Sequence, residues 1–111
     1  KAKILILGMS YKKDIDDLRE SGSLDILKKL LKRKIKMIEW SDPHIKNPIK
    51  ISNFRYNKKS IILNPKTLKS FDLVILMTDH DKFNYKMIYK NSKCIIDCRG
   101  RYSVDKKVIR A

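Results

Sequence analysis

The chain has 111 residues, enough for one domain with a single core and too few for a multidomain enzyme. It is 42% hydrophobic and 35% charged with apolar runs along its whole length, which excludes a disordered tail or a fibre, and no run reaches the roughly 18 residues of a membrane span. Lys and Arg total 27 against 12 Asp and Glu, a net charge of +15 that puts nucleic acid among the partners to be weighed.

In chain order, Lys3–Leu7 reads as a nearly continuous apolar strand ended by Gly8, the pattern of a strand covered on both faces. Leu24, Leu27, Leu30 and Leu31 then recur at helical spacing with Lys28, Lys29 and Lys32 mostly on the other side, and Ser21 or Ser23 is the expected N-cap. Residues 35–40 form the next expected strand, running through Trp40, a core residue, into the turn Ser41-Asp42-Pro43. Residues 44–63 are punctuated by Asn and Pro and stay partly unassigned, with short strands possible at 50–52 and 60–63. Asn64-Pro65 opens a short helical piece over 66–69. Residues 71–77 read as a buried strand leading to Thr78-Asp79-His80-Asp81, a short helix follows near 83–89, and residues 93–97 form a further strand running into Cys98-Arg99-Gly100-Arg101. The sum is an α/β fold: a three-layer Rossmann-like domain with a mostly parallel sheet.

Ligands of such sheets bind outside the carboxyl ends of the strands, so residues 8–19, Asp42, 78–81 and 97–101 are expected to converge on one rim. A dinucleotide fold would place Gly-x-Gly-x-x-Gly after the first strand, but only Gly8 is present and the helix begins late. The segment offers cations instead, Lys12, Lys13 and Arg19, suited to phosphate or carboxylate. Its acidic run, Asp14, Asp16, Asp17 and Glu20, lacks the glycine turn and later bidentate Glu of a calcium loop. Two Cys and two His lack zinc spacing, and no metal is expected. Cys94 and Cys98 would sit roughly 13 Å apart in an extended strand, too far for a disulfide, which points to reduced thiols. Cys98 reads as a packed thiol without a nearby base, His80 as an orienting partner rather than a catalyst, and His44 as turn surface. Lys outnumbers Arg 21 to 6 and the cations are scattered, so most of the charge reads as solvated surface. The chain begins at Lys1 without an apolar leader and is expected to be a piece of a longer protein.

Four segments together, residues 8–21 (Gly-Met-Ser-Tyr-Lys-Lys-Asp-Ile-Asp-Asp-Leu-Arg-Glu-Ser), Asp42-Pro43, residues 78–83 and residues 96–102, resemble the C-terminal domain of the UDP-glucose/GDP-mannose 6-dehydrogenases over essentially the whole chain. Their form most resembles the branch acting on UDP-N-acetyl amino sugars, UDP-N-acetylglucosamine 6-dehydrogenase especially, with UDP-glucose or GDP-mannose enzymes as the alternative. The resemblance implies oxidation of the sugar's C6 alcohol to a carboxylate in two NAD-dependent steps, through a thiohemiacetal on a Cys outside this domain. It implies NAD held mainly by an N-terminal Rossmann domain, a long central helix that makes a homodimer, a cytoplasmic setting, and a role in polysaccharide precursor synthesis. By resemblance, Tyr11, Lys12 and Arg99 contact the UDP-sugar and Arg19 reaches NAD, while no catalytic residue lies in the chain. Gly22 departs from the family, which generally has Pro there. The competing reading, a basic nucleic-acid-binding module, predicts a contiguous basic face and steep salt dependence. A receiver-like or flavodoxin-like domain would need an acidic pocket or a phosphate loop after the first strand, where this chain has Gly8-Met9-Ser10.

Overall fold

The structure is a computed structural model that describes residues 2–9, 22–51 and 54–111. Among the described residues five parallel strands form a sheet: β1 (Lys3–Leu7), β2 (Met37–Ser41), β5 (Leu73–Leu76), β6 (Ile95–Asp97) and β7 (Val108–Arg110), in the order β2-β1-β5-β6-β7. A separate antiparallel hairpin joins β3 (Ile49–Ile51) to β4 (Phe54–Tyr56). The helices among the described residues are α1 (Gly22–Lys32), α2 (Pro65–Lys69) and α3 (Tyr85–Asn91).

The alternation of side chains along β1 divides the core into two halves. Leu5 and Leu7 pack with Leu68, Phe71, Val74 and Ile88 under α2 and α3, whereas Ile6 packs with Leu24, Leu27, Ile38 and Trp40 under α1 and the hairpin. Helices therefore cover both faces of the sheet, and that is why β1 carries no polar residue between Lys3 and Gly8. Each such fully buried Leu or Ile contributes about 1.5–3 kcal/mol.

The ends of the helices show how local chemistry sets their limits. Asn64 caps α2, its side chain accepting the Thr67 N–H at 2.8 Å just ahead of Pro65 in the first turn, and Asn84 does the same for α3 through the Met87 N–H at 3.1 Å. At the end of α1 the Ile35 N–H returns to the Leu30 carbonyl and the Lys34 N–H to Leu31, with Lys34 at φ 61 where Gly is usual. Ser23 lies inside α1 rather than capping it, and its hydroxyl donates to the Gly8 carbonyl at 2.6 Å. This contact removes Ser23 from the two expected caps and ties α1 to the end of β1. Ser21, the other candidate, lies outside the described residues.

Three further expectations change. Residues 60–63 join no strand ladder, although the Ile61 N–H donates to the Trp40 carbonyl at 2.9 Å and so satisfies part of the β2 edge. The hairpin strand β4 and the edge strand β7 emerge where no strand was expected. Of the three residues of β7 only Val108 is buried, so no apolar alternation announced it. Trp40 is fully buried as expected, its indole N–H donating to the Lys58 carbonyl at 2.8 Å.

Candidate functional site at the strand ends

In strand order β2-β1-β5, the chain leaves β1 toward β2 on one side, while β5 is reached through α2 on the other face. The switch point lies between the carboxyl ends of β1 and β5. Gly8 stands there with φ +84, and a Cβ on it would come within 2.5 Å of the Thr78 Cβ and carbonyl oxygen. The glycine is thus required for close approach of the two strand ends. This differs from the glycine-rich dinucleotide turn, where the space is left for a pyrophosphate, so these residues do not fit NAD at the first turn.

Asp42, fully formed as a buried junction after β2, draws neighbouring segments together. One oxygen, Oδ2, accepts the Met9 N–H at 2.7 Å and lies 2.9 Å from the His80 Nε2; the other accepts the His44 N–H at 2.8 Å. Burial alone would raise the Asp42 carboxyl, but the hydrogen bonds from His80, Met9 and His44, with the attraction of His80, outweigh it and hold it below its ordinary 3.8. His80 is fully buried, in keeping with an orienting role. His44 is half-buried with its ring edge-on to His80, centroids 4.6 Å apart, so it packs inward rather than forming turn surface.

Asp97 shapes the loop after β6. Its Oδ1 accepts the N–H groups of Arg99 and Gly100, both at 2.9 Å, and its Oδ2 that of Tyr102 at 2.7 Å. The turn places Arg99 against β5, where its Nε donates to the Met77 carbonyl at 2.7 Å. Among the described residues no acceptor engages its two terminal nitrogens, and the residue is exposed. Arg101 differs: its guanidinium lies 4.2 Å from the Tyr85 ring centre and 3.9 Å from both Asp79 and Asp81. Of these two arginines, Arg99 is the one left able to hold a ligand in a fork.

Tyr102 donates to the Tyr85 carbonyl at 2.7 Å and Tyr85 to the His80 carbonyl at 2.6 Å, linking the β6 loop to the β5 rim. Sequence reading missed both tyrosines as parts of the rim, because their role passes through hydroxyl-to-carbonyl bonds that no spacing announces. Cys98 is a free thiol raised above its ordinary value by burial first and by the Asp97 charge second, with Arg99 opposing, the reverse of an activated nucleophile. Cys94 is also free. Among the described residues no three His, Cys, Asp or Glu side chains are grouped to hold a metal, and no helix is long and apolar enough to cross a membrane. Tyr11, Lys12 and Arg19 lie outside the described residues. A cleft of about 550 Å³ opens beside Asp42, between residues 59–63 and the start of α3, and does not include Arg99.

Residues 5–104 match the UDP-glucose/GDP-mannose dehydrogenase family, UDP binding domain. The chain belongs to this family. A UDP-N-acetyl-D-mannosamine dehydrogenase of Campylobacter jejuni is 42% identical over 82 residues, 73% of this chain and 20% of its own length. An NDP-N-acetyl-D-galactosaminuronic acid dehydrogenase of Ralstonia solanacearum is 32% identical over 103 residues, 90% of this chain and 23% of its own length. Among solved structures, a UDP-D-ManNAc dehydrogenase of Pyrococcus horikoshii superposes with a TM-score of 0.67 at 25% identity over 99% of this chain and 25% of the other. This UDP-glucose/GDP-mannose dehydrogenase family domain thus spans about a quarter or less of the relatives' length. Their names place the likeness among amino-sugar enzymes, as the sequence motifs do, with N-acetylmannosamine and N-acetylgalactosaminuronic acid as the sugars named.

Proposed function

We propose that the chain is the C-terminal UDP-sugar-binding domain of an NAD-dependent nucleotide-sugar 6-dehydrogenase, acting on a UDP-N-acetyl amino sugar in polysaccharide precursor synthesis. The observation that carries this reading is Arg99. Its backbone and Nε are fixed on the β5 side of the rim while the residue is exposed and, among the described residues, no acceptor holds its terminal nitrogens, the state required of a group that grips a diphosphate on arrival. Tyr11 and Lys12, two and three residues beyond Met9, supply an aromatic ring and a point charge to the same nucleotide. Arg19 reaches NAD, which serves as hydride acceptor and is held mainly by an N-terminal domain of the same polypeptide. The assembled enzyme is a cytoplasmic homodimer or higher oligomer. Domain closure excludes water from the sugar, and the arginine and lysine offset the diphosphate charge.

The test is kinetic, in the intact dehydrogenase. Arg99→Ala and Lys12→Ala raise the KM for the UDP-sugar about tenfold or more, the cost of one charge-assisted contact each. Arg19→Ala raises the KM for NAD instead. Comparing UDP-N-acetylmannosamine, UDP-N-acetylglucosamine and UDP-glucose as substrates identifies the sugar. Unchanged constants in all three variants would refute the residue assignments.

A further inference from the structure

An arginine side chain has several rotatable bonds, and a ligand that must freeze them binds more weakly than one that meets them already set. Arg99 is set at two points: its N–H by the Asp97 Oδ1 and its Nε by the Met77 carbonyl. Asp97 is fully buried and touches no solvent, so its carboxylate is engaged with the turn beneath Arg99 rather than with any ligand. Three backbone N–H groups of the next five residues close on it, a turn made possible by Gly100 at φ +73. From Tyr102 the restraint continues through its hydroxyl to the Tyr85 carbonyl and through the Tyr85 hydroxyl to the His80 carbonyl.

We propose that Asp97 is the positioning residue of the nucleotide site: buried beneath the rim, it fixes the turn that aims the Arg99 guanidinium, and so sets affinity for the diphosphate without touching it. The proposal rests on Arg99 as a nucleotide ligand and deepens that reading. Asp97→Asn keeps the shape of the side chain but replaces one acceptor oxygen with a donor that faces a backbone N–H, so the turn loosens on one side.

The experiment is a double-mutant cycle in the intact protein, with UDP as the probe and calorimetric titration as the readout. With Arg99 present, Asp97→Asn raises the Kd for UDP about tenfold; in the Arg99→Ala background it changes the Kd by less than about twofold. A purely structural role would instead give the same loss in both backgrounds. Should Asp97→Asn not fold, Gly100→Ala strains the same turn at positive φ and leaves the carboxylate in place; a Cβ there meets nothing closer than 3.9 Å, so the core is undisturbed. It is expected to show the same dependence on Arg99. Equal losses in the two backgrounds, or no loss with Arg99 present, overturn the proposal while leaving Arg99 as a ligand. An unchanged Kd for Arg99→Ala alone overturns both statements.

Discussion

The space a Cβ would need at Gly8 is taken by Thr78, whose backbone N stands 2.8 Å from that point and whose Cβ stands nearer still. Gly8→Ala therefore combines the left-handed backbone penalty with a clash against main chain, a loss of about 3 kcal/mol in unfolding free energy. Denaturant titration measures it, and a loss below 1 kcal/mol would show that β1 and β5 can part at little cost. The sequence showed that a glycine ended the first strand and that no dinucleotide motif followed. It could not show which atom filled the space, since Thr78 is 70 residues away. The position of Arg99, just past the strand read over residues 93–97, was legible, while its role as a ligand is the proposal tested above. What distinguishes it from Arg101 was not legible: the pairing of Arg101 with Asp79, Asp81 and Tyr85 exists only once β5 and β6 lie side by side.

Strands and helices were legible in proportion to how much apolar surface they bury. β1, α1 and β5 announce themselves through Leu5, Leu24 and Val74, all buried, whereas β7 buries Val108 alone and passes for a charged tail. The junctions between elements are made by buried polar groups, and there the pH dependence lies. Asp42 joins the ends of β1, β2 and β5 as a carboxylate held below its ordinary 3.8, so its stabilising contribution is complete above that value and is lost as pH falls through the folded value. Asp42→Asn should thus be less stable than the parent at pH 7, with the gap narrowing below about pH 4. Urea midpoints from pH 7 to pH 3 measure this. Asp105, lowered chiefly by the Tyr89 hydroxyl, titrates in both proteins and cancels from the comparison. A gap that stays constant through pH 3 would mean that the Asp42 charge plays no part in the junction.

Taken whole, the described ends of β1, β2, β5 and β6 meet along one edge of the sheet. The residues proposed as ligands follow β1 and β6, β2 supplies the Asp42 junction, and the opposite edge is closed by contacts such as the Lys3 N–H to Asp72 at 2.8 Å. The chain spans about a quarter or less of the length of its relatives. On the proposed reading such a domain holds part of a nucleotide site and none of the oxidising machinery. The 111-residue chain mixed with NAD and a UDP-N-acetyl amino sugar should therefore give no NADH absorbance at 340 nm, and steady turnover would refute the proposed division of labour. The +15 charge belongs mostly to exposed lysines such as Lys29, Lys32 and Lys66, spread over different elements, and the few cations proposed to bind nucleotide differ from them in following strand ends. Trp40 has a consequence for study of that edge. It is the sequence's single tryptophan, shielded from water and bonded through its indole two residues before Asp42. Its emission is therefore a built-in optical gauge of the Asp42 junction, readable without any attached dye while nucleotide is titrated onto the rim.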